Sequence, residues 1–140
     1  MQLTTVKDWM KDLVIFIDPE ATVNEGLALM RHRYMNSVIV NKTPSSSEYG
    51  IVTSIDICDK IVAQGKDPSK TKMHEIMASP VVTVPAAMGL KECAAKMKDM
   101  RVHHLPVSDD KGSIIGMVSA TDFLVVAEAM GTNFKERSLK

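Results

Sequence analysis

The chain has 140 residues, enough for one compact domain or two small ones that share a core. Its 17 basic side chains balance 17 acidic ones, so the basic excess expected of a nucleic-acid or anionic-membrane binder is missing. No apolar run approaches the ~20 residues that span a bilayer, and Lys7, Asp8, Lys11 and Asp12 interrupt the start of the chain where a signal peptide needs an apolar stretch. The expectation is a soluble cytoplasmic protein with no membrane or nucleic-acid partner.

In chain order, the β-branched run Val14-Ile15-Phe16-Ile17 predicts a strand. A helix follows: Thr22 with Glu25 three residues on is a capping box, and Val23, Leu27, Met30 and Tyr34 recur on one face. Strands are predicted near 37–41 and 50–53, separated by the turn Pro44-Ser45-Ser46-Ser47, and a helix over 55–64 closes on Gly65. The segment 65–72, rich in Gly, Lys, Asp, Pro and Ser, reads as a linker. The same series then recurs. Val81-Val82-Thr83-Val84 predicts a strand, and Gly89 starts a helix with Leu90, Ala94 and Met97 as its stripe. Strands are predicted near 104–108 and 115–119 around the turn Asp109-Asp110-Lys111-Gly112, and a helix over 121–130 ends before Gly131. The polar tail 132–140 is expected to fray.

This recurrence is a duplication. Displaced by the interval from Met10 to Met77, Trp9-Met10 falls on Ile76-Met77, Met30 on Met97 and Val38-Ile39-Val40 on Leu105-Pro106-Val107. One residue drops out in the next turn, and Gly50-Ile51-Val52-Thr53-Ser54-Ile55-Asp56 then lies over Gly116-Met117-Val118-Ser119-Ala120-Thr121-Asp122. The predicted architecture is α/β, two tandem β-α-β-β-α repeats, with residues 1–65 as the first and 66–140 as the second. One such unit buries little surface alone, so the two are expected to pack sheet to sheet with pseudo-two-fold symmetry.

The 11 methionines fall mostly at helix-core spacings, where they fill irregular gaps. Cys58 and Cys93 lie far apart with no CxxC spacing and are expected to be buried, reduced thiols. His103 and His104 are adjacent on a predicted strand, so they point to opposite faces and do not share an ion; His32 and His74 have no spaced partners, and no metal site is expected. The sequence carries no GxSxG, no Walker loop and no paired acid–base set, so no catalytic residues are assigned. On spacing alone, Asp56 and Asp122 read as acids that cap the helices they begin.

The two Gly-x-Val-Thr/Ser-x-x-Asp segments, with Ser37-Val38-Ile39-Val40 and His104-Leu105-Pro106-Val107 before them, resemble the CBS-domain family, and the pair is similar to a Bateman module. The resemblance covers roughly residues 5–130. It implies a regulatory, non-catalytic module that binds AMP, ADP, ATP or S-adenosylmethionine in clefts between the repeats, usually as a homodimer, and acts on an unidentified protein. The alternative is a structural dimerisation module with non-functional clefts.

By the same resemblance, Asp56 and Asp122 accept hydrogen bonds from both ribose hydroxyls, since a carboxylate offers two oxygens to a vicinal diol. Thr53, Ser119 and Thr121 assist, Val14, Ile15, Val81 and Val82 offer main-chain partners to the adenine edge, and Ile51, Ile55, Met117, Val102 and Pro106 form walls. The resemblance sets Asp56 and Thr53 opposite Val82, Val102, His103, His104 and Pro106. It sets Asp122, Ser119 and Thr121 opposite Ile15, Met35, Ser37 and Ile39. Arg101, His103 and His104 fall where the family often has phosphate-binding groups, so the Asp56 cleft is expected to prefer charged nucleotides, more tightly as the histidines protonate.

Overall fold

The computed structural model describes residues 5–33 and 35–135. The elements in chain order are α1 (Val6–Trp9), β1 (Phe16–Ile17), α2 (Val23–His32), β2 (Ser37–Val40), β3 (Gly50–Thr53) and α3 (Ser54–Ile57), which runs into a π-helical turn over Cys58–Val62. There follow α4 (Met73–Ile76), β4 (Val84–Pro85), α5 (Leu90–Met100), β5 (His104–Ser108), β6 (Ile114–Ser119) and α6 (Asp122–Lys135). They build two three-stranded sheets, β1-β2-β3 and β4-β5-β6. In each the first pair is parallel and the second antiparallel.

The duplication shows in the register. Ile17 pairs with Val40 in one sheet, and Val84 pairs with Val107 in the other. The expected first strands are shorter than their β-branched runs: Val14 and Ile15, like Val81 and Val82, stand outside the ladders. Thr22 caps α2 by accepting from the Glu25 N–H at 3.2 Å, as the sequence motif predicts. Gly65 takes the left-handed conformation at φ 65° after the π turn. Gly131, expected to end the last helix, instead lies inside α6, which continues to Lys135. Arg101 takes the left-handed position after α5 at φ 56°. Tyr34 and residues 136–140, where the helical stripe and the frayed tail were expected to extend, lie outside the described residues.

Packing divides the chain differently from the repeat. Residues 14–81 form one compact unit; the chain through Leu13 groups with the chain from Val82 on to form the other. Each sheet is therefore completed by the short leader that, by sequence, precedes the opposite repeat. In the contiguous unit, Met73 N–H donates to the Ala21 carbonyl at 2.8 Å, and Ala78 bridges to Ile51 beside β3. In the composite unit, Val6 N–H donates to the Met88 carbonyl at 2.8 Å, and Lys11 bridges to Met117 beside β6. The 65–72 segment is structured by the same strategy: Thr71 is buried, and its carbonyl accepts from Val23 N–H at 2.8 Å.

Each unit has its own core, because strand side chains alternate between faces. Val38, Val40 and Val52 join Val23, Met30, Ile61, Met73 and Ile76 on the helix-covered side of the first sheet. Leu105, Val107 and Val118 join Val6, Leu90, Cys93, Met97 and Val126 in the second. Ser37, Ile39, Ile51 and Thr53 fall on the other face of the first sheet, as do His104, Pro106, Met117 and Ser119 on the second. That second face carries the candidate chemistry.

Candidate ligand-binding site

At the end of β3 the chain turns directly into α3, and the Asp three residues on reaches back. Thr53 N–H donates to Asp56 Oδ2 at 2.9 Å, and the Thr53 hydroxyl donates to the same oxygen at 3.4 Å. The second repeat does the same with better hydroxyl geometry: Ser119 N–H donates to Asp122 Oδ2 at 2.8 Å and its hydroxyl at 3.2 Å. Thr121 shares a hydrogen bond with the Ser119 hydroxyl at 2.8 Å. The capping function read from spacing is thus present, and it uses one oxygen of each carboxylate. The other oxygen has a different neighbour. Asp56 Oδ1 meets the Lys60 ammonium at 3.1 Å, and Asp122 Oδ1 meets the Lys11 ammonium at 3.6 Å. The two carboxylate side chains are only 15% and 12% exposed. Each site thus presents a fixed, half-neutralised carboxylate with one oxygen turned away from its cap.

Cross-strand pairing sets several of the expected residues beside the carboxylate of their own sheet, whereas the resemblance sets them opposite that of the other repeat. Ser37, itself buried, pairs with Thr53, and Ile39 pairs with Ile51. His104 pairs with Ser119, and Pro106 pairs with Met117. Burial pushes the His104 imidazole below its ordinary value, helped by neighbouring His103 and by Lys11, while Asp122 pulls the other way. His104 therefore favours the neutral form.

Other expected residues stand elsewhere. Met35 lines a helix-side groove of about 590 Å³ with Leu27, Met30, Arg31, Asn36 and Ile57. Val102, His103 and Arg101 line the equivalent groove of about 370 Å³ with Met97 and Phe123. The grooves are lined in part from α2 and α5, and each also reaches the residue next to a strand end, Ser54 or Ala120. Ile55, expected as a wall, is 54% exposed on α3. The main chain of the first-strand segments is partly committed: the Ile15 carbonyl accepts from Ile39 N–H at 2.8 Å, and Val81 N–H donates to the Tyr49 carbonyl at 3.0 Å. Val14 is partly covered, whereas Val82 is exposed.

The expectation of two buried thiols is overturned. Cys58, the first residue of the π-helical turn, is exposed, while Cys93 is buried in α5 and burial raises its thiol pKa. Among the described residues, no group of three His, Cys, Asp or Glu side chains is placed to hold a metal ion. No helix among them is long and apolar enough to cross a membrane.

Sequence reasoning missed both lysines. Lys60 was legible in principle, four residues after Asp56 on one helix face. Lys11 was not, because only the leader's crossing onto Met117 brings it to Asp122.

Comparison with known proteins follows the repeat in the sequence. The family model for the CBS domain matches residues 6–63 and again residues 73–129. An uncharacterized protein of Methanopyrus kandleri is 32% identical over 130 residues, 93% of this chain and 65% of that protein, so the chain spans just under two thirds of that relative. The hexameric CBS-CP12 protein from bloom-forming cyanobacteria superposes with a TM-score of 0.85 at 30% identity, over 93% of this chain and 75% of that one. A CBS domain pair solved in complex with 5′-methylthioadenosine and S-adenosyl-L-methionine superposes with a TM-score of 0.79 at 25% identity, over 92% of this chain and 99% of that one.

Proposed function

The chain belongs to the CBS-domain family, and from that premise we propose that it is a regulatory, non-catalytic module whose ligand is an adenosine-containing molecule: AMP, ADP, ATP or S-adenosylmethionine. The observation that carries this reading is the matched pair of carboxylates. Each is mostly covered, each is held in place through Oδ2 by the N–H and hydroxyl of a strand-end Thr or Ser, and each turns Oδ1 away. An immobilised acceptor of this kind suits a vicinal diol, because the entropy of ordering it has been spent in folding. Both Asp residues therefore serve twice, as helix cap and as ribose acceptor.

The base would be read by main chain. In the first unit the Ile39 N–H occupies the Ile15 carbonyl. Pro106 stands at the corresponding place in the second and has no N–H to give. The Val82 carbonyl, counterpart of that of Ile15, is thereby offered to an exocyclic amine. The ligand-bound domain pair supports an adenosyl ligand, since both compounds named with it carry adenosine.

Association with a second copy is part of the same reading. On α6, Leu124 is 70% exposed, Val125 57% and Met130 43%, an exposed apolar surface that a second copy would cover. A purely structural dimerisation module rests on this face alone. The regulated protein is proposed to be a separate partner acted on through ligand occupancy.

Thermal unfolding with AMP, ADP, ATP and S-adenosylmethionine, beside 2′,3′-dideoxy-ATP, tests the reading. A ligand at one hundred times its Kd adds ~2.7 kcal/mol to stability. At least one ribose-bearing ligand should raise Tm by several degrees, and the dideoxy compound should not. No shift with any of them at millimolar concentration would leave the dimerisation module as the function.

A further inference from the structure

The two carboxylates have the same kind of partner by different routes. Lys60 comes from the helix of Asp56 itself; its counterpart in the second repeat is Val126, buried in the core. Lys11 comes from the crossing leader; its counterpart in the contiguous unit is Ala78. Each unit thus lacks the lysine that the other uses, and each supplies a substitute that reaches the same oxygen, Oδ1. A cap requires neither lysine, since Oδ2 alone meets the strand-end N–H and hydroxyl.

The lysines also differ in how firmly they are held. The Lys60 ammonium donates to the Ile76 carbonyl at 2.8 Å as well as meeting Asp56. It lies in the one π-helical turn among the described residues, Cys58–Val62, and such insertions recur at functional sites. The equivalent stretch of α6 is regular α-helix. The Lys11 side chain is 61% exposed, and its ammonium has Asp122 as its one ion-pair partner among the described residues.

We propose that Lys60 and Lys11 set the charge selectivity of the two ribose sites, neutralising Asp56 and Asp122 so that each accepts a phosphorylated adenosyl ligand rather than a cationic one. The inference rests on the adenosyl-binding reading above and deepens it. A bare carboxylate gripping a ribose would repel the 5′-phosphate a few ångströms away and attract the sulfonium of S-adenosylmethionine. An ammonium on its outward oxygen cancels that field. Lys60, tethered at two points, gives the stronger selectivity; Lys11, more exposed and held at one point, gives a weaker one that salt screens more readily.

The test is calorimetric titration of AMP, ATP, 5′-methylthioadenosine and S-adenosylmethionine into wild type, Lys60→Gln, Lys60→Arg and Lys11→Gln. Lys60→Gln should weaken ATP by about tenfold while neutral 5′-methylthioadenosine stays within about twofold, and Lys60→Arg should restore ATP. Lys11→Gln should show the same pattern, smaller and lost in high salt. If Lys60→Gln fails to fold, Lys11→Gln carries the test, its side chain being mostly in solvent. Equal losses for charged and neutral ligands, or no losses, would overturn the selectivity and leave the adenosyl reading standing. Absence of binding by wild type to all four compounds would overturn both.

Discussion

The carbonyl oxygen of Lys11 lies 2.9 Å from the point a Cβ on Gly116 would occupy. This contact explains the glycine that opens each Gly-x-Val-Thr/Ser motif: the leader crosses β6 there, and a side chain would push into its backbone. The first repeat repeats the crossing with a softer neighbour, since a Cβ on Gly50 would meet the side chain of Met77, whose Cγ is 3.1 Å away. Gly116→Ala should therefore destabilise by about 1–3 kcal/mol, with Gly50→Ala costing less because a methionine can move and a backbone cannot. Urea unfolding of the two variants checks the order; equal or reversed costs would contradict it.

Removing a cap should cost stability apart from any effect on ligand. Asp122→Ala loses both hydrogen bonds from Ser119 and should lower stability by about 1 kcal/mol, as cap deletions do. Asp122→Asn keeps an acceptor for the Ser119 N–H and should recover most of that loss. The comparison by denaturant titration, without ligand, isolates the structural role of this side chain from its proposed role in binding.

His104 ties stability to pH. Burial, then His103, holds its folded-state pKa below the ordinary 6.5, so the unfolded chain binds the proton more readily than the folded one. The stability it contributes is complete above pH 6.5 and is lost as pH falls through that value toward the lower folded pKa. Wild type should be less stable at pH 5 than at pH 7.5, and His104→Gln should reduce that difference. A pH profile of Tm unchanged by the substitution would count against the burial of a neutral imidazole here.

The cysteines should differ in reactivity. Cys58 is exposed, whereas the thiol of Cys93 is buried and its pKa is raised. A thiol-specific chromogenic reagent should titrate one thiol per native chain and two in denaturant, and Cys58→Ser should abolish the native reaction. Rapid modification of both in the native protein would contradict the packing of α5.

Much of this was legible in the residues. The duplication fixed two sheets of like topology, because Gly50, Asp56, Gly116 and Asp122 recur in one frame; Thr22 and Glu25 marked a helix start, and β5 matches its expected span. What escaped was non-local. Nothing in Lys11 or Met10 says that they belong with β6, since the leader's partner is chosen by packing and not by neighbouring sequence. Cys58 was misjudged because an apolar setting such as Ile57-Cys58 reads as core, while a π-helical turn changes which side chains face inward. Gly131 looked like a helix end, yet glycine inside a helix costs only about 1 kcal/mol, and α6 runs through it.

The most direct measurement is ligand stoichiometry by calorimetry in wild type, Asp56→Asn, Asp122→Asn and the double variant, using the adenosyl compound that raises Tm most. Asparagine keeps each cap's geometry and removes the charge and one acceptor for a diol, so each single change should eliminate one class of site and the pair should eliminate binding. A double variant that is folded and binds with wild-type affinity would contradict the account.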